Sequence, residues 1–241
     1  MLLGLSAMIE FAQSAEIAWG PPTNISGDFD ISTAGTLVSA FNYGNSGATT
    51  KVNGVQFTGL TVFGGNIAFS GTGPYYGGYN EFSSSSAPFS SLSSNYQALL
   101  ESGVFQDGGS LTLTLPSLKT NQTYEVEIWA NDSRSTFGSG RTESVMSTSG
   151  SSAVLQYNTT SSEGGLGQYI LGYFTADEST EEVTLTGLTA STGDGVPPGG
   201  PSAQIMAYEL RAISTPEPNS ALLLFNGGVA LAARVGLSRI N

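Results

Sequence analysis

The stretch "QDGGSLTLTLPSL" (residues 106–118), followed by "QTYEVEIWAND" (122–132), decides how the rest of the chain is read. Asp107-Gly108-Gly109 marks a turn. Leu111, Leu113 and Leu115 then recur every second residue, with Thr112 and Thr114 between them, until Pro116 ends the run. Alternation with period two is the mark of a strand with one apolar and one polar face. In the second segment Tyr124, Val126, Ile128 and Ala130 share a face, and Glu125, Glu127 and Trp129 share the other. Two strands spaced this closely make either a hairpin or a corner between two sheets.

The same pattern extends in both directions. Short alternating runs occupy 36–44, 51–62, 66–71, 152–158, 167–177, 181–188 and 202–213, with an Asn53-Gly54 hairpin signal inside the second. The last run places Ala203, Ile205, Ala207 and Glu209 against Gln204, Met206, Tyr208 and Leu210. Helical spacing occurs only near 91–103, at Leu92, Tyr96, Leu99 and Leu100. About nine strands without alternating helices predict an all-β fold, a two-sheet antiparallel jelly-roll sandwich. Three long irregular loops, 71–80, 131–141 and 189–202, stand apart from it.

Composition narrows the chemistry. The chain has no Cys and no His, which removes disulfides, thiolate metal sites and every Ser-His or Cys-His mechanism. The net charge is −12, and only Lys51, Lys119, Arg134, Arg141 and Arg211 are basic before the C-terminal tail. Such a surface repels phosphate backbones, so nucleic acid is not expected as a partner. No glycine-rich stretch leads into a P-loop lysine. No cofactor is implied.

Both ends differ from the body. Residues 1–15 carry an apolar run ending in "AQSA" before Glu16, the pattern of a signal-peptidase site. At the other end Pro216 and Pro218 isolate an apolar run, Ala221–Ala233. Thirteen helical residues cover about 20 Å, whereas a bilayer core of about 30 Å takes about 20 residues, so this segment suits transient membrane association. Three regions follow: a signal segment 1–15, a β-sandwich 16–213, and a tail 214–241 carrying a hydrophobic helix.

Pro216-Glu217-Pro218, a short apolar run, and then Arg234 with Arg239 resemble the PEP-CTERM sorting signal of exosortase substrates. The resemblance covers about the last 27 residues. It implies a Gram-negative source, export, an inner-membrane-tethered precursor, cutting near the triplet by an exosortase, and arrival at the cell surface or extracellular matrix. "LPSLKTNQTYEVEIWANDSR", "GGLGQYILGYFTAD" and "AQIMAYELR" resemble galactose-binding-like, lectin-type jelly-roll modules of exported bacterial proteins, a likeness of fold that brings no activity with it.

Candidate binding residues come from scarcity and clustering. Arg134 and Arg141 flank a loop beginning at Asn131 and Asp132; a guanidinium beside a carboxylate either pins such a loop or ligates an acidic sugar. Tyr75, Tyr76 and Tyr79 lie in a glycine-rich loop, where their rings either stack on sugars or fold onto their own domain. Trp129 reads as core. Asp177 and Glu178, with Glu181 and Glu182, form an acidic turn of the oxygen-rich kind that a structural calcium takes, although no ordered calcium-loop spacing is present. The function expected is an exported, exosortase-processed surface or matrix protein, structural or adhesive and without catalysis. The alternatives are a lectin-like carbohydrate-binding module and a polysaccharide-active enzyme using two carboxylates.

Overall fold

The structure is a computed structural model that describes residues 15–45, 47–61, 65–71, 75–134, 139–189 and 201–214, with the backbone alone at Tyr75 and Tyr76. The sorting triplet Pro216-Glu217-Pro218, the apolar run, Arg234 and most of the signal segment lie outside these residues.

Among the described residues the chain is mostly β, in three sheets. The largest runs β12 (Ser149–Gly150), β1 (Glu16–Trp19), β14 (Gln168–Thr175), β10 (Thr123–Ala130), β17 (Ala207–Ile213), β3 (Thr36–Tyr43), β5 (Val55–Leu60), β4 (Thr49–Val52), with β2 (Thr23–Asn24) also beside β14. The second runs β13 (Ser152–Gln156), β11 (Thr142–Ser147), β15 (Glu181–Gly187), β9 (Gly109–Leu115), β6 (Ile67–Gly71). The third runs β16 (Ser202–Ile205), β8 (Gly103–Asp107), β7 (Tyr75–Gly78). Most pairings are antiparallel; β1–β12 and β3–β5 are parallel.

The expected sandwich is present in its main features. Leu111, Leu113 and Leu115 of β9 face Tyr124, Val126, Ile128 and Ala130 of β10 in one core, joined by Val145, Leu155, Ile170, Phe174, Val183, Leu185 and Leu210. Strands β9 and β10 belong to different sheets, so the connection at 116–122 is a corner and not a hairpin. Ser117 and Asn121 take positive φ to make it, at 63° and 66°. The Asn53-Gly54 signal does produce a hairpin: both residues have positive φ, 44° and 83°, and Val52 pairs with Val55.

Three features depart from expectation. A third sheet adds to the two. A second apolar cluster packs on the outer face of β10, built from Trp129, Phe57, Phe82, Phe89 and helix α1 (Ser94–Leu100), which supplies Tyr96, Leu99 and Leu100. Ser93 caps that helix by accepting from the Tyr96 N–H at 3.1 Å. Finally, residues 202–213 are two strands and not one. Their alternation slips at Met206: Ala203 and Ile205 face the main core, and so do Tyr208 and Leu210. The slip is held by backbone bonds from Met206 N–H to the Trp129 carbonyl (3.0 Å) and from Tyr43 N–H to the Met206 carbonyl (2.8 Å).

Candidate functional site

The chain leaves β10 at Ala130 and stays buried for three more residues, Asn131, Asp132 and Ser133. Buried polar groups persist only where hydrogen bonds replace water, and these are well supplied. Asn131 donates to Ser133 Oγ at 3.1 Å, and its side-chain oxygen accepts from Gly167 N–H at 2.9 Å. Its carbonyl accepts from Gln204 Nε2 at 2.6 Å.

Asp132 is the hub. Arg134 grips it bidentately, Nε at 2.9 Å and Nη2 at 2.8 Å, and Arg141 Nη1 lies 3.4 Å away. Each guanidinium also covers an aromatic ring: Arg134 Cζ sits 5.0 Å from the Phe82 centroid and Arg141 Cζ 4.6 Å from that of Tyr157. The Tyr157 hydroxyl lies 2.9 Å from Glu143, which also accepts from Gln204 N–H at 2.8 Å. Burial pushes the Glu143 carboxyl up to about 8, although Gln204, Tyr157 and Arg141 all pull it back.

These contacts join residues that border the three long loops: Glu81 and Phe82 after 71–80, residues 131–134, and Ser202 and Gln204 at the end of 189–202. Ser133 N–H donates to the Phe82 carbonyl at 3.0 Å, and Arg134 Nη1 lies 3.6 Å from Glu81, tying 131–134 to the segment after β7. Gln204 and Ser202 bring in the chain after 201. Arg141 is thus a buried structural pin. Arg134 is a pin that also reaches water, its side chain 24% exposed against 7% for Arg141. Tyr79 lies 63% exposed on the same loop as Glu81. Tyr75 and Tyr76 are in strand β7, paired with Gln106 and Phe105, and not in a loop as the sequence led one to expect.

The acidic turn separates. Asp177, Glu178 and Glu182 are exposed, while Glu181 turns inward and is buried. Among the described residues no group of three or more His, Cys, Asp or Glu side chains is placed to hold a metal ion. Trp129 is fully buried, with Phe57 edge-on at 5.8 Å, as expected of a core residue.

One cluster escaped sequence reasoning. Glu127 of β10 and Glu209 of β17 are directly opposed, with Glu125 and Arg211 opposed one rung away. All four are buried, and residues 32–35 bond to Glu127 and Arg211. Ser32 N–H donates to Glu127 at 3.1 Å, Arg211 donates to the Ala34 carbonyl and pairs with Glu209, and Tyr173 donates to Glu125 at 2.7 Å. Burial raises Glu127 well above the carboxylate range, and Glu209 and Glu125 add to this; burial raises Glu209 to about 7 against the pull of Arg211. The alternation that placed Glu125 and Glu127 on one face was visible, but nothing local showed that face to be covered.

No protein-family model matches the chain, and no curated protein matches it. Among solved structures it is similar to the ANXUR2 extracellular domain from Arabidopsis thaliana, at 17% identity and a TM-score of 0.47, over 74% of this chain and 49% of that one. It is also similar to the ANX1 ectodomain from Arabidopsis thaliana, at 18% identity and a TM-score of 0.46, over 76% and 52%. The chain thus spans about half the length of these ectodomains.

Proposed function

We propose that this is an exported, non-catalytic surface or matrix protein whose sandwich, of jelly-roll type, holds carbohydrate at the loop end built around Asp132. The observation that carries the reading is the placement of Arg134. This is one of five basic residues before the tail, and it is braced by a buried carboxylate and an aromatic ring while its outer edge reaches solvent beside Glu81. A guanidinium and a carboxylate held side by side offer donors and acceptors to vicinal hydroxyls, and exposed Tyr79 offers a flat apolar face for a sugar ring. Preorganisation of this kind lowers the ordering cost of binding. The opposed carboxylates Glu127 and Glu209 are buried, with Ser32 N–H capping Glu127, so neither is presented to a solvent-borne polysaccharide.

Titration against a panel of neutral and acidic oligosaccharides tests this. Binding by the parent protein should weaken about tenfold or more in Arg134→Ala and in Tyr79→Ala, since one stacked ring or one charge-assisted bond contributes about 1.4 kcal/mol or more. A parent protein that binds no member of the panel, or variants that bind as the parent does, would overturn it.

We further propose that the tail is an exosortase sorting signal. The intact mass of the surface-released protein should then lack residues 221–241; a released form that keeps them contradicts processing.

A further inference from the structure

Phe29 is 93% exposed, more than any other large apolar side chain among the described residues. It sits on a single helical turn, Asp28–Asp30, that is held on both sides. Asp28 Oδ1 accepts from Ser93 Oγ at 2.6 Å. Asp30 accepts from Ser26 N–H at 2.7 Å, Gly27 N–H at 3.0 Å and the Tyr96 hydroxyl at 3.0 Å. With Asp28 and Asp30 tied inward, the residue between them is turned to solvent. Any side chain would meet that need, and a phenyl ring there forgoes the stabilisation of burial.

Tyr79 is the next most exposed ring, at 63%. The segments bearing the two rings are tethered to opposite ends of α1. Asp28 bonds Ser93, the N-cap, while Phe82 N–H donates to the carbonyl of Glu101, the C-cap, at 3.1 Å. From Ser93 to Glu101 the helical rise is about 12 Å. Between these tethers α1 carries no charged side chain and exposes Ser94 and Asn95. A protein contact sets its anchoring ring within a wider apolar patch. Phe29 stands instead beside exposed Ser26 and Ser93, a ring among hydroxyls, which suits a sugar that stacks one face and bonds through its edge. Asp28 and Asp30 lie at one end of this path, Glu81 and Glu101 at the other, and Arg134 is already bound by Asp132 and Glu81. On a chain of net charge −12 such a path disfavours a polyanion.

We propose that the ligand of the Asp132 site is a neutral polysaccharide, which continues along α1 so that a further sugar ring stacks on Phe29. The inference rests on the carbohydrate reading of the Asp132 site and adds the class of ligand, neutral and polymeric. The short sugars of the panel fill the Asp132 site alone. A chain long enough to span α1 makes its second contact without a second encounter, so affinity rises with length.

Calorimetric titration of the whole protein with soluble β-glucan, xylan, mannan and α-glucan, each beside its own short fragments and beside polygalacturonate, tests this. The parent should bind at least one neutral polymer about tenfold more tightly, per occupied site, than its fragments, and Phe29→Ala should bring that ratio close to one. Phe29→Ala should melt with the parent, because its ring is 93% exposed. An unchanged ratio in Phe29→Ala, no gain with length in the parent, or tighter binding of polygalacturonate overturns the inference while leaving the Asp132 site its shorter sugars. A parent that binds neither polymers nor fragments, nor any member of the panel, overturns both. Sedimentation of the parent as a dimer that Phe29→Ala dissolves would assign the ring to a second copy of the chain and likewise overturn the inference.

Discussion

Melting followed at about pH 5 and about pH 8 should show the protein unfolding roughly 10 °C lower at the higher pH, the reverse of the usual loss of stability in acid. The cause is carboxyls that fold in their protonated form. Burial holds Glu143 up to about 8 and Glu209 at about 7, and raises Glu127 well above the carboxylate range. In the unfolded chain all three titrate near 4.3. Because the folded-state values are the higher ones, the folded protein binds more protons through the interval between them. Their contribution is present in full below the unfolded value and is lost as pH rises through 7 to 8. At about 1.4 kcal/mol for each tenfold mismatch in proton affinity, the loss from pH 5 to 8 is on the order of 3–6 kcal/mol. For a chain of this size that is about 2–4 °C per kcal/mol. Glu143→Gln, which keeps the acceptor for Gln204 N–H, should flatten the profile. A melting temperature that is level or rises between pH 5 and 8 would show that these carboxyls are hydrated or paired more fully than their burial indicates.

The second large effect is expected at Asp132. Its side chain is fully buried and holds two guanidinium groups. Asp132→Ala removes the buried carboxylate that Arg134 and Arg141 share, while Glu81 stays 3.6 Å from Arg134; removing one member of a buried pair costs about 3–5 kcal/mol. The urea midpoint should fall accordingly with little change in slope. Asp177→Ala is the control: this carboxylate is exposed, and surface changes of this kind stay within about 0.5 kcal/mol. Equal midpoints for the two variants would mean that Asp132 is not the hub of the loop end.

Much of the sandwich was legible because strand alternation is a local signal. Leu111–Leu113–Leu115 and Tyr124–Val126–Ile128 face each other as their spacing required. The slip at Met206 was not legible, because apolar residues occupy both parities there: Ala203 and Ile205 on one, Met206, Tyr208 and Leu210 on the other. Either phase suited the local sequence, and backbone bonds to Trp129 and Tyr43 selected both in turn. Similarly, the burial of Glu127 carries no local signal, since the Ser32 N–H that caps it lies 95 positions away in sequence. The loop end was half legible. The scarcity of basic residues marked Arg134 and Arg141, but their aromatic supports, Phe82 and Tyr157, carry no signal in sequence. Glu181 is a different case. Its parity with Val183 and Leu185 already pointed it inward, away from exposed Glu182, and grouping it with an acidic turn overlooked that.

The account stands most directly on where a sugar touches the protein. Amide and side-chain shifts of the isotope-labelled protein, followed during titration with the tightest-binding oligosaccharide of the panel, answer this without any mutation. The prediction is a perturbed set confined to Tyr79, Glu81, Phe82, Ser133 and Arg134, at the end of the sandwich gathered by Asp132. Perturbations centred on the threonine face of β9 and β15, or at the β4–β5 hairpin, would place the binding surface elsewhere and contradict the account.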